Sequence, residues 1–218
     1  MVLKNRKKII LYGCGDMGIQ TFNILKHDKS YEILGFIDDN LDNKGKSFLG
    51  LPILGDYTEI PNLVNKLQIK GGIAVIGNNK IRYEKNQIIK KAGLEIVTAI
   101  HPKSFIDNQE NIGDGTIVEM GAFIHPEVRI GEGCFICCGA IVAHNSTLGN
   151  YVLLAGGCVF GSRVTVGDFS LIGVGANISP YVNIGKNVLV GTGAAVIKDL
   201  PDNVVAAGVP AKILRNNG

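Results

Sequence analysis

Two short stretches carry residue types that could do chemistry. In IVAHNSTLG (Ile141–Gly149) a histidine and an asparagine sit side by side among aliphatic and small residues. Imidazole, with an ordinary pKa of about 6.5, is the side chain best suited to take a proton near neutral pH. A neighbouring amide can orient it. His144 is thus a candidate general base with Asn145 as its partner; the alternative is a solvated or capping histidine at a turn. Near the start, Gly13, Gly15 and Gly18 form G-x-G-x-x-G directly after the apolar run Ile9–Tyr12. Glycines let backbone approach a phosphate, and a following helix offers free N–H groups and a positive dipole end. Asp38 and Asp39 follow about 20 residues on, where the acid of such a unit meets a ribose hydroxyl. Their other reading is simple termination of a strand.

The remaining reactive side chains read more plainly. His125, before Pro126, is the rival of His144. His101 precedes Pro102 and reads as structural, and His27 ends the first helix, where it can satisfy carbonyls. Cys14 lies within the glycine turn and reads as packing. Cys134 and Cys137 have CxxC spacing with Cys138 beside them, but no second CxxC or HxxxH completes a four-ligand zinc site, so no metal is expected. Five cysteines is an odd count that suits a reducing cytoplasm. The net charge of +3 is too small to argue for nucleic acid. Lys4, Arg6, Lys7 and Lys8 make the N-terminus basic, yet IILYG is too short for a signal segment, and no apolar run approaches the ~18 residues of a membrane helix.

The elements that position His144 are legible in a repeat. From Ile112 to Val196 every sixth residue is large and apolar, through Ile130, Val142, Leu154, Phe160 and Ile178. Two residues earlier runs a second row, from Val128 through Cys134, Ala140, Ser146, Cys158 and Ser170 to Ala194, all small or β-branched. A separation of two puts both rows on one face of an extended strand. Each hexad is therefore a short strand and a turn. Ile112-Gly113, Ile130-Gly131, Leu148-Gly149, Val166-Gly167 and Ile184-Gly185 recur every 18 residues, so three hexads make one triangular coil. About five coils stacked at ~4.8 Å give a prism some 24 Å tall. His144 lies two residues past the inward Val142, at a corner where neighbouring prisms could meet. This is the hexapeptide repeat of a parallel β-helix.

The first half differs. Strand, glycine turn and helix (KKIILYGCGDMGIQTFNIL) are followed by a second strand, YEILGFIDDN, and a third, GGIAVIGNN, before a helical run over Arg82–Ala92. That alternation predicts a parallel sheet. LPILGDYTEIP reads as loop and turn ahead of a helix, AIHP (Ala99–Pro102) as the linker, and coiling as beginning near residue 105. A half-Rossmann unit of ~100 residues suits a nucleotide-sugar better than a dinucleotide. The fold class is an α/β N-terminal Rossmann-like domain (1–100) plus an all-β C-terminal left-handed parallel β-helix (101–218), the handedness coming from the resemblance below.

The stretches LYGCGDMG, GFIDD, AVIGNNKIR, VAHNSTLG and AGVPAKI resemble the sugar O- and N-acyltransferases of the sialic acid O-acetyltransferase and nucleotide-amino-sugar N-acetyltransferase group. The resemblance covers nearly the whole chain. It implies a cytoplasmic homotrimer that moves acetyl from acetyl-CoA, as co-substrate, to a sugar on a nucleotide. It implies that Gly13, Gly15, Asp16, Met17, Asp38 and Asp39 hold the nucleotide, with Gly77 and Asn78 bordering the same pocket. It places the family's catalytic histidine on His144, and the coenzyme between neighbouring helices near Leu153, Gly161, Val174 and Thr192. Two positions depart from the family: Asn145 stands where Glu or Asp usually follows the histidine, and Leu153 where some members carry a second histidine. The implied reaction is N-acetylation of a nucleotide-linked 4-amino-4,6-dideoxy sugar; O-acetylation of a sugar hydroxyl and a binding or scaffold role are the alternatives. A γ-class carbonic anhydrase would need three zinc histidines in the coils, where only His125 and His144 lie.

Overall fold

The computed structural model describes residues 6–218; Lys4 lies outside them. The chain divides into two compact units, Met1–Ala99 and Ile100–Gly218.

In chain order the first unit comprises β1 (Lys7–Tyr12), α1 (Asp16–Leu25), β2 (Tyr31–Ile37), β3 (Ser47–Phe48), β4 (Leu51–Gly55), α2 (Ile60–Leu67), β5 (Gly71–Ala74), α3 (Asn79–Lys91) and β6 (Glu95–Ile96). The sheet order is β3-β4-β2-β1-β5-β6, parallel except for β3 against β4. β1 and β5 are buried almost throughout, as near-continuous apolar runs in a parallel sheet should be. Ile10, Tyr12, Ile37, Ile60, Ile69 and Ile89 form one core cluster of this unit.

One expectation fails here. Leu51–Gly55 is a strand, not loop. Proline and glycine read as breakers, yet only the N–H groups that reach a neighbour matter, and Pro52 stands at the second residue of β4. Gly35 of β2 permits the pairing, because a Cβ there would meet the Pro52 carbonyl oxygen at 2.5 Å and Leu54 at 2.9 Å.

The second unit is a stack of three-sided coils. Its first face carries the strands Phe105–Ile106, Phe123–Ile124, Ile141–Val142, Val159–Phe160, Asn177–Ile178 and Ala195–Val196. The second carries Arg129–Ile130, Thr147–Leu148, Thr165–Val166 and Asn183–Ile184. The third runs from Ala99–Ile100 through Ile117–Val118, Phe135–Ile136, Leu153–Leu154, Leu171–Ile172 and Leu189–Val190 to Val204–Ala207, where Lys212–Asn216 returns antiparallel. Rungs pair in parallel at an offset of 18 as far as Val196, as in Phe123↔Ile141↔Val159, and at 16 in the closing pairs Ile184↔Leu200 and Leu189↔Val205. Coiling thus starts at Ala99, not near 105: the stretch expected to be a linker is already a rung, with the His101 N–H donating to Val118 O at 2.9 Å. Two residues suffice for a rung strand, so the two inward rows were not needed to begin it.

Both inward rows from Val118 onward are buried. Hydroxyls among them are satisfied by the coil itself. Ser170 Oγ donates to Gly185 O at 2.8 Å and accepts from the Val188 N–H at 3.0 Å, and Thr116 does the same with Gly131 O and the Cys134 N–H. Cys134 and Cys158 are packing residues of the same row, and burial pushes the Cys158 thiol up to about 12.

Candidate functional site

His144 stands where the first face turns into the second. On that corner Glu127, Asn145, Arg163 and Tyr181 occupy one turn position on successive rungs, with φ of 58°, 61°, 59° and 66°. Asparagine tolerates that left-handed geometry better than most residues. So Asn145 is first of all a turn residue. It is also the partner of His144: its Oδ1 lies 2.8 Å from His144 Nδ1. An amide oxygen only accepts, so in the neutral imidazole this contact favours the tautomer with its proton on Nδ1 and its lone pair on Nε2. The side chain is exposed and its backbone is pinned, since His144 O accepts from the Arg163 N–H at 3.1 Å. An oriented neutral imidazole with a free Nε2 can accept a proton from an attacking nucleophile. His125 is half-buried one rung below, with its ring 4.7 Å from that of Phe123.

The four positions matched to the coenzyme do not converge within one chain. Gly161 shares the corner of His144, on the next rung; a Cβ there would meet Pro180 N at 2.5 Å, so only glycine fits. Val174 and Thr192 lie on consecutive rungs of another corner, between the third and first faces, where Gly121, Gly139, Gly157, Gly175 and Gly193 take positive φ. The N–H groups of Gly156, Val174 and Thr192 there have no hydrogen-bond partner among the described residues. They form a row of free donors that an extended amide-bearing ligand could use. Leu153 points outward from the third face and is half-buried.

In the first unit, Gly13 has φ 125° and its N–H donates to Ile37 O at 2.8 Å, which ties the turn after β1 to the end of β2. Gly15 is the N-cap of α1, and Asp16 opens its first turn. The Met17 side chain is core, so only its backbone N–H is offered at the helix N-terminus. Asn78 caps α3, its Oδ1 accepting from the Lys80 and Ile81 N–H groups, and no atom lies within 4 Å of where a Gly77 Cβ would stand.

The two acids part company. Asp39 is fully engaged: it accepts from Tyr12 OH at 2.6 Å, pairs with Lys85 Nζ at 2.7 Å and takes the Tyr57 N–H at 3.4 Å. Lys85 in turn lies over the Tyr12 and Tyr57 rings. Burial works against ionisation of Asp39, but Lys85 and Tyr12 outweigh it and hold the carboxyl below its ordinary 3.8. Its contribution to stability is therefore present above that value and fades as pH falls below it. Asp38 accepts from the Asn40 N–H at 2.8 Å and from the Cys14 thiol, which burial and Asp38 together push up to about 12. Cys14 is accordingly no nucleophile near neutral pH.

Sequence reasoning missed Arg82. It opens the expected helical run, and nothing in the sequence marks it as inward, yet Arg82 is fully buried. Its Nη1 donates to Ile76 O at 2.8 Å and Gly77 O at 3.3 Å, and Nη2 to Asn79 Oδ1 at 2.9 Å, so it fixes the loop after β5. Arg82→Ala should cost roughly 2–3 kcal/mol by leaving those carbonyls unpaired, a drop that calorimetry would register. Lys85 and Tyr12 were also missed, because nothing local announces a contact between α3 and residues 46 and 73 positions earlier.

Among the described residues, no group of three His, Cys, Asp or Glu side chains is placed to hold a metal ion. Among the described residues no helix is long and apolar enough to cross a membrane. The PglD N-terminal domain family matches residues 8–92, and the bacterial transferase hexapeptide (six repeats) family matches residues 127–162. A GDP-perosamine N-acetyltransferase of Escherichia coli O157:H7 is 30% identical over 115 residues, 50% of this chain and 49% of that one; the chain thus aligns with about half the length of this curated relative. PerB from Caulobacter crescentus, solved in complex with CoA and GDP-perosamine, is 31% identical with a TM-score of 0.88, covering 95% of this chain and 97% of that one. Variants of that enzyme with one histidine changed to Asn or Ala have been solved with the same ligands. The acetyltransferase domain of PglB from Neisseria gonorrhoeae, with acetyl coenzyme A, is 26% identical with a TM-score of 0.88, covering 96% of this chain and all of that one. An α/β unit joined to a left-handed parallel β-helix, matched to PerB along nearly its whole length, makes this chain a member of the hexapeptide-repeat sugar acyltransferases, enzymes that draw their acyl group from acyl-CoA.

Proposed function

We infer that this chain is an N-acetyltransferase that moves acetyl from acetyl-CoA to the 4-amino group of a nucleotide-linked 4-amino-4,6-dideoxy sugar. The observation that carries this reading is the oriented imidazole of His144, 2.8 Å from Asn145, on a coil corner of a chain that matches an enzyme solved with CoA and GDP-perosamine. The reaction needs little else. The amine lone pair attacks the thioester carbonyl and the C–N bond forms. His144 Nε2 takes the amine proton, while backbone N–H groups of the coil turns stabilise the oxyanion, an effect often worth ~3 kcal/mol. The C–S bond then breaks, and the CoA thiolate receives the proton from the imidazolium. Positioning of the two substrates supplies much of the rest.

In this reading residues 1–100 bind the nucleotide, through the Gly13–Gly15 turn, the first-turn N–H groups at Asp16 and Met17, Asp38, Gly77 and Asn78. Residues 101–218 carry the transfer. The assembly is a homotrimer. Its support is a ladder of exposed apolar side chains up the first face, Phe105, Phe123, Ile141 and Val159, with the two phenylalanine rings stacked at 4.5 Å. The corner of His144 and the glycine-rich corner border this face on either side. Three copies that turn it toward a threefold axis along the coils bring each His144 corner against the next copy's glycine-rich corner. Val174, Thr192 and the free N–H row of one protomer then serve His144 of another, as the divided coenzyme positions require. Cytoplasmic residence fits a thioester donor and five free thiols.

Thiol release from acetyl-CoA, measured with nucleotide-linked amino sugars and with sugar hydroxyl acceptors, tests the reading; turnover confined to hydroxyl acceptors would replace N- by O-transfer. The two acids give a sharper test. Asp38→Asn should weaken binding of the preferred nucleoside diphosphate at least about tenfold in titration calorimetry, since a charge-assisted contact is lost. Asp39→Asn should change it by no more than a few fold, because that carboxylate is already occupied by Tyr12 and Lys85.

A further inference from the structure

Glu119 occupies an unusual place. It follows the inward Val118 at the glycine-rich corner, is 8% exposed, and is the only buried carboxylate among the described residues. Its Oε2 accepts from the Cys138 N–H at 2.8 Å, one rung up, so the carboxylate sits at the height of Cys138. The titratable residues on the adjoining rungs of this corner are His101 and Lys103 below and Cys137 and Cys138 above. No ion pair to Glu119 is present among the described residues. Burial raises its pKa, and the Cys138 N–H offsets this only in part. A carboxyl raised in the folded state loses stability as pH rises from its unfolded value through its folded one, so the ionised form is unfavourable to a lone protomer near neutral pH. A neutral side chain would cap Cys138 at less cost. His144 shows the complementary lack, since its Nδ1 meets the uncharged amide of Asn145.

The coil geometry relates the two. Cys138 precedes His144 by six residues, one third of an 18-residue turn, which is a rise of about 1.6 Å. Copies related by a threefold axis along the coil stand at equal heights. The corner holding Cys138 in one protomer therefore meets the corner holding His144 in the next, almost level with it. We propose that Glu119 of the partner subunit faces His144 across this interface and is the positioning residue that holds the imidazole and balances its charge when the amine proton arrives. This rests on the trimer and on the role of His144 inferred above. Asn145 alone gives orientation without charge; the charge comes from the neighbouring chain.

Glu119→Gln keeps an acceptor for the Cys138 N–H and removes only the charge. It should melt at or above the wild-type temperature, and kcat should fall about ten- to a hundredfold. The acid limb of kcat/KM against pH, set by His144 in the free enzyme, should move to lower pH by about one unit, because the loss of an anion makes imidazole easier to deprotonate. A mere corner cap would leave that limb in place. Asn145→Asp in the Glu119→Gln background supplies a charge beside His144 in the same chain and should restore most of the rate. Trimers mixed from Glu119→Gln and His144→Ala chains, isolated through two tags, regain interfaces with both native groups, and should turn over several times faster than either pure variant. Should Glu119→Gln fail to assemble, Glu119→Asp, which keeps the charge but withdraws it by one methylene, should still lose rate, and wild-type turnover in it would count against the proposal. An unchanged rate and pH limb in Glu119→Gln, or no gain in the mixed trimers, overturns the proposal by itself when His144→Ala is inactive. Wild-type turnover in His144→Ala would overturn the base assignment and this proposal together.

Discussion

His144→Ala should reduce acetyl transfer about a hundred- to ten-thousandfold, with little change in fold or melting temperature. General-base catalysis is ordinarily worth that range, and no second base stands in the same turn. The side chain is exposed, and its backbone hydrogen bond to the Arg163 N–H is independent of the imidazole, so the corner survives the substitution. The loss should fall on kcat more than on KM, because the imidazole accepts its proton during attack rather than during binding. Asn145→Ala should lose less, roughly tenfold, since the imidazole remains but its preferred tautomer is no longer fixed. Steady-state thiol release over a range of acceptor concentrations separates the two terms. His125→Ala should leave kcat nearly unchanged, because that ring packs against Phe123.

Phe160→Ala should destabilise the coil by about 3–5 kcal/mol. Phe160 is 1% exposed and is the one aromatic in the inward row from Ile112 to Val196. Its neighbours on the same face, Val142 and Ile178, belong to rungs tied above and below by the ladder, so they cannot slide in to fill the space. A melting temperature lower by roughly 10–20 °C in calorimetry is the expected result. Phe160→Leu, which keeps most of the volume, should lose less than about 1.5 kcal/mol. Phe160 lies in the rung after His144, so Phe160→Ala should also lower activity at temperatures well below melting.

The coil was legible because its constraint is local and repeated. A narrow interior admits two side chains per hexad, and that leaves a sixfold trace in the residues themselves. The position of His144 followed from Val142 alone. The α/β unit was legible where the chain alternates apolar strand and glycine turn, and illegible where proline masked β4. Long-range contacts left no trace. Nothing in the spacing of Tyr12, Asp39 and Lys85 shows that they meet, so two adjacent acids looked equivalent when only Asp39 is held by a cation and a phenol. Arg82 was hidden because a charged residue on a helix looks the same whether it faces water or a loop carbonyl. Glu119 was hidden because the repeat names the inward residues but says nothing of whether the side chain just past Val118 is covered by the next turn of the coil.

The offset of 18 between paired rungs as far as Val196 restricts how this part of the molecule can change length. A deletion of one residue inside the coil would swap inside and outside for everything beyond it. A loss of six or twelve would keep the inward rows but pass each later strand to a different face, and would separate the apolar ladder into pieces. Whole turns are the only increments that leave all three faces intact. Growth or shrinkage between Ile112 and Val196 should therefore be quantised, with smaller insertions tolerated only as bulges at the corners.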